Sequence, residues 1–105
     1  DETRASVDPF AMKKGAVLVN TARGELVDQA RLVEALNAGH LCGAGLDVFA
    51  EEPLPCGNPL LGLPGVVLAP HIAWLTPETL VRSLTVANEN CRRLAAGETL
   101  LHQVI

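Results

Sequence analysis

Three short apolar runs decide what this 105-residue chain can fold into. They are Ala16-Val17-Leu18-Val19, the small-residue stretch from Cys42 to Val48, and Val66-Val67-Leu68-Ala69. The first and third contain no polar residue, as expected of parallel strands covered on both faces. Helical patterns alternate with them. Asp8-Pro9 reads as an N-cap with Pro at the first helical position, and Gly15 would close that short helix. Asp28 can cap a second helix, in which Leu32, Val33, Ala35 and Leu36 form an apolar stripe and Gly39 ends it. Residues 53 to 65 carry Pro53, Pro55, Pro59, Pro64 and several glycines, and read as a loop. Thr76-Pro77 then opens a last helix that runs to about Ala96, with Gly97 beyond it. Its apolar positions Leu80, Leu84, Ala87, Cys91 and Leu94 recur along one side. Alternation of this kind predicts a parallel α/β sheet with right-handed crossovers. Three strands alone would leave edges that invite association, so the chain is expected to be part of a larger α/β unit.

Composition narrows the function classes. An apolar share of 49% against 19% charged residues fits a folded globular chain. A net charge of −4, scattered basic residues and only two Phe, one Trp and no Tyr argue against a nucleic-acid footprint. The apolar runs are far shorter than the roughly 20 residues that cross a bilayer, so no membrane partner is expected. Asp1-Glu2-Thr3-Arg4 is polar and does not read as a signal peptide. Cys42, Cys56 and Cys91 are odd in number, widely spaced and form no Cys-x-x-Cys pair, which suits a reduced, cytoplasmic setting.

Chemistry-bearing residues follow the strands, where open α/β sheets place their sites. Arg23, in Asn20-Thr21-Ala22-Arg23-Gly24, could bind a carboxylate bidentately, or simply pair with Glu25 or Asp28. His71 follows a strand and Pro70, and an imidazole there could give or take a proton. Glu52, beside Glu51 and before Pro53, could hydrogen-bond His71, hold its tautomer and favour the protonated acid, or be merely solvated. Asp47, at the end of an apolar strand, could accept from a ligand amide or cap the following turn. His40 and His102, at a helix end and in the tail, read as structural, and no metal-ligand spacing links the histidines. Gly43-Ala44-Gly45 is not a phosphate-binding turn: it lies within a strand, and a Pro-rich loop rather than a helix follows.

Three segments in order carry a family resemblance that covers nearly the whole chain. Residues 14 to 28, with Val19-Asn20-Thr21-Ala22-Arg23-Gly24, resemble the strand and Arg turn of the D-isomer-specific 2-hydroxyacid dehydrogenases. Gly43-Ala44-Gly45-Leu46-Asp47-Val48-Phe49 with Glu51-Glu52-Pro53 resembles the next signature, and Leu68-Ala69-Pro70-His71-Ile72-Ala73 the third. The resemblance implies the second half of a Rossmann-like doubly wound parallel sheet, a fragment of a larger two-domain protein. Residues 1–96 would be the C-terminal half of the NAD-binding domain with its returning helix, and 97–105 a stub of the substrate domain. Asp1-Glu2-Thr3-Arg4 resembles the middle of a family loop beside the cofactor.

The same resemblance implies a catalytic set of Arg23, Glu52 and His71 acting on a small 2-keto or 2-hydroxy acid. Arg23 would bind the substrate carboxylate, His71 would be the general acid in reduction, and Glu52 would orient and tune it. Thr21, Ala22, Arg23, Asp47, His71 and Ala73 would lie along the cofactor, NAD, with NADP as the alternative. Trp74 after Ala73 resembles the variant of some glycerate dehydrogenase-like (hydroxypyruvate reductase-like) members, and could equally serve packing. A homodimer is expected of the complete protein, and little or no turnover of residues 1–105 alone. Two competing readings are a corepressor of the C-terminal-binding-protein kind, which keeps the same trio, and a truncated non-catalytic product.

Overall fold

The computed structural model describes residues 6–105; the Asp1-Glu2-Thr3-Arg4 segment lies outside the described residues. The chain divides into two compact units, Asp1–Ala73 and Trp74–Ile105.

The first unit is a three-stranded parallel sheet: β1 (Val17–Asn20), β2 (Gly43–Leu46) and β3 (Val66–Leu68), in the order β1-β2-β3. The α-helix α1 (Gln29–Asn37) begins at Asp28, whose carboxylate accepts from Arg31 N at 3.1 Å. That is the N-cap the sequence predicts, and Gly39 (φ 67°) follows the C-cap Ala38. Leu32 and Ala35 of α1 enter one core with Leu18, Leu41, Ala44, Leu46 and Leu60. Burying a leucine of this kind removes enough apolar surface from water to stabilise by ~2 kcal/mol.

Several expectations are corrected. Within this unit the sheet is covered on one face: α1 packs on the side where Leu18 points, and Val17 and Val19 are 57% and 70% exposed. Nor is the third strand buried, since Val67 is 72% exposed on what is an edge strand. Only the middle strand, β2, is buried along its length apart from half-buried Gly45. Gly43 is required there, because a Cβ on it would come within 2.7 Å of Gly65 O. The Asp8-Pro9 start makes only a 3-10 turn, Pro9–Ala11, so Gly15 (φ 82°) closes the next turn rather than a helix. The Pro-rich loop is not featureless either. Asn58 caps a 3-10 turn, Pro59–Gly62, and the turn drives Leu60 into the core. His40 is structural as expected, with Nε2 2.9 Å from Met12 O and its ring beside Phe10.

The second unit is the long helix α2 (Pro77–Ala96) with a short tail. Thr76 caps it, accepting from Thr79 N at 3.1 Å, and Gly97 ends it at φ 70°. Both ends fall where the sequence places them. None of its residues is buried, and Leu80, Leu84 and Leu94 of the expected stripe are exposed. No helix among the described residues is long and apolar enough to cross a membrane.

Candidate active site

The carboxyl ends of β1, β2 and β3 each lead into a segment that carries one member of the trio. After β1 the chain turns sharply because of Asn20, which is buried. Its Oδ1 accepts from Ala22 N at 3.1 Å and its Nδ2 donates to Arg23 O at 2.9 Å. The Asn side chain thus imitates a turn of backbone, holding Thr21-Ala22-Arg23 in an exposed hairpin-like bend. Arg23 is exposed and, among the described residues, in no ion pair; its Nη1 donates to Ala22 O at 2.6 Å.

After β2, Phe49 N donates to Glu52 Oε1 at 3.0 Å, which fixes the Glu52 side chain against its own loop. The other oxygen, Oε2, lies 2.8 Å from His71 Nδ1. The His71 hydrogen bond, then the Phe49 N–H, hold the Glu52 carboxyl below its ordinary 4.5. With Nδ1 engaged by a carboxylate, the tautomer and ring plane of His71 are set.

After β3, His71 adopts φ 59°, a left-handed conformation that is costly for a residue with a Cβ. Asp47, from the end of β2, accounts for its persistence. Its Oδ1 accepts from Ile72 N and its Oδ2 from Ala73 N, both at 2.9 Å. Burial of Asp47 would raise its pKa, but the Ala73 and Ile72 N–H donors and nearby His71 outweigh this and lower it from 3.8. Asp47 therefore stays a carboxylate and caps the turn at His71, through donors 25 and 26 residues away, instead of the turn that directly follows it.

These segments meet. Arg23, Glu52 and His71 line one cavity of about 340 Å³ with Gly24, Glu25, Val48, Phe49 and Ala50. On its other side the Glu52–His71 pair borders an apolar cavity of about 300 Å³ walled by Leu54, Leu61 and Leu68. Thr21 and Ala22 open onto a third, of about 360 Å³, with Met12, Leu18 and Val19. Among the described residues no cluster of His, Cys, Asp or Glu could hold a metal. The turn-forming role of Asn20 escapes a reading by strand and helix pattern. The signal for it was present: an Asn ending an apolar run, just before small residues and Gly24.

A guanidinium, a carboxylate–imidazole pair and a turn-capping aspartate thus lie at the carboxyl edge of a parallel sheet, where open α/β folds bind their ligands. Comparison with known proteins gives the family. Residues 9–73 match the model of the D-isomer specific 2-hydroxyacid dehydrogenase NAD binding domain, and the chain belongs to that family. It is 51% identical over 87 residues to a glyoxylate reductase of Korarchaeum cryptofilum, covering 83% of this chain and 26% of that protein. Among solved structures it resembles a D-isomer specific 2-hydroxyacid dehydrogenase of Xanthobacter autotrophicus Py2 in complex with NADPH and MES. There the TM-score is 0.84 at 42% identity, over 99% of this chain and 43% of that one. A glyoxylate reductase from Paecilomyes thermophila gives a TM-score of 0.82 at 42% identity, over 97% of this chain and 32% of the other. The chain thus spans 26%, 43% and 32% of the length of these three relatives.

Proposed function

We propose that the polypeptide containing this chain is an NAD(P)-dependent reductase of small 2-keto acids such as glyoxylate or hydroxypyruvate. Residues 1–96 would supply the C-terminal half of its NAD-binding domain, and 97–105 the start of its substrate domain. A cytoplasmic location and a homodimer go with this reading. The observation that carries it is the 2.8 Å contact of Glu52 with His71, at a cavity that Arg23 also lines.

The proposed chemistry follows from those groups. A guanidinium offers parallel N–H donors to a carboxylate, so Arg23 would hold the keto acid by its anionic end and polarise the adjacent carbonyl. When bound, the reduced nicotinamide supplies the hydride that reaches the carbonyl carbon. His71 Nε2 gives the proton that the carbonyl oxygen takes up, and Glu52, as a carboxylate, stabilises the imidazolium before transfer. In the reverse direction the neutral imidazole accepts the hydroxyl proton. The exposed Thr21-Ala22 bend and Asp47 are the groups that would border the nicotinamide. Each Asp47 oxygen already accepts one backbone N–H, so a ligand amide would use its second lone pair.

Steady-state oxidation of NADH or NADPH by glyoxylate and hydroxypyruvate tests the proposal. Loss of the general acid in His71→Ala should lower kcat by about 10²–10⁴-fold. Arg23→Ala should act mainly on kcat/KM for the keto acid. Turnover unchanged in both variants would remove the assigned roles. Residues 1–105 expressed alone should show no such activity.

A further inference from the structure

Next to Arg23, Gly24 leaves no room for a side chain. A Cβ there would fall inside the Phe49–Ala50 peptide, against Phe49 C, Phe49 O and Ala50 N. The obstacle is main chain, so no rotamer change could relieve it. Phe49 is also the residue whose N–H holds Glu52, and Glu52 in turn holds His71. The Arg23 bend is therefore fixed from two directions. Asn20 grips it from within through Ala22 N and Arg23 O, and Gly24 rests it directly on the segment that carries Glu52.

We propose that Gly24 is a positioning residue whose missing side chain sets the spacing between Arg23 and the Glu52–His71 pair. The inference rests on the function proposed above, because that spacing matters only to a ligand that must meet all three. A methyl group at Gly24 displaces the side that yields more easily. Thr21, Ala22 and Arg23 are exposed, whereas Phe49 packs against the core and is tied to Glu52. The displacement thus moves Arg23 outward and leaves the Glu52–His71 contact in place.

The test is a double-mutant cycle of Gly24→Ala and Arg23→Lys in the polypeptide that contains this chain. Gly24→Ala should lower kcat/KM for the keto acid about tenfold, with the pH profile and NADH affinity within about twofold of the parent. Arg23→Lys should lower kcat/KM about tenfold in the parent, but less than about threefold on Gly24→Ala, since both act through one placement. Additive losses or a shifted pH profile would overturn the inference. Loss of a cooperative melt in Gly24→Ala would overturn it too, reducing Gly24 to a packing residue. The two readings fail separately. Unchanged turnover in Arg23→Ala and His71→Ala sinks the function, whereas a silent Gly24→Ala with those two impaired sinks only the positioning role.

Discussion

The two units of the chain are held by different kinds of contact. In Asp1–Ala73 the contacts that build the site reach far along the sequence: Asp47 to Ile72 and Ala73, and Glu52 to His71. Beneath them lies a core of seven buried apolar residues. Within Trp74–Ile105 the hydrogen bonds among the described residues are local, as in Thr76–Thr79, Glu89–Arg92 and Arg93–Glu89, and no residue of α2 is buried. The Asn90 side chain reaches Leu101, only eleven residues on. Local contacts suffice to define a helix. Arranging three side chains around a cavity takes long-range ones backed by a packed core, because only those fix one segment against another.

The sharpest way to break this comparison is to remove a core side chain. Leu32→Ala should destabilise the protein by about 3 kcal/mol, read from denaturant melts, since Leu32 is fully buried among β1, β2 and Leu60. A loss under about 1 kcal/mol would mean that the first unit lacks the tight packing assigned to it. Asn20→Ala should follow at about 1–2 kcal/mol, because it removes the partners of Arg23 O and Ala22 N in two part-buried hydrogen bonds. The same variant should raise KM for the keto acid, since the Arg23 bend loses its inner grip. Stability lost without any change in KM would separate Asn20 from the site.

The contrast also explains what could be read in advance. The ends of α1 and α2 were legible because Asp28, Thr76-Pro77, Gly39 and Gly97 act within one turn of their own positions. The trio was legible as three strand-end residues, and the family resemblance supplied roles that strand pattern alone could not. Burial was misjudged where it depends on distant chain. Val19 and Val67 carry the pattern of buried strands, yet nothing in the sequence says which face α1 covers or that β3 lies at an edge. The service of Asp47 to His71 was hidden for the same reason. A carboxylate at a strand end announces an acceptor but not a donor 25 residues away.

In the second unit effects should be smaller and local. Thr76→Ala removes the acceptor for Thr79 N at the start of α2 and should cost about 1 kcal/mol. Restoration by Thr76→Ser or Thr76→Asp would tie that loss to the cap. A cost as large as that of Leu32→Ala would contradict the view that α2 rests on local contacts.

The smallest effect concerns acid. Hydrogen bonds from Arg92, then Arg93, pull the Glu89 carboxyl from its ordinary 4.5 to about 2. A carboxylate with a depressed folded pKa contributes stability that is complete above the unfolded value and is lost as pH falls through the folded one. For Glu89 that window runs from about 4.5 down to about 2. Glu52 has the same sign, its carboxyl being lowered first by His71, but it belongs to the site rather than the helix. Both pairs are partly exposed, so water and salt screen them and the acid slope should flatten in high salt. Thermal melts between pH 5 and pH 2 at low ionic strength separate the two. Glu89→Gln should shallow the acid slope without touching keto acid turnover at neutral pH, whereas Glu52→Gln should shallow it and slow turnover. If Glu89→Gln keeps the parent slope, the ion pairs at the end of α2 contribute nothing to its stability. The helix would then stand on its cap and its propensity alone.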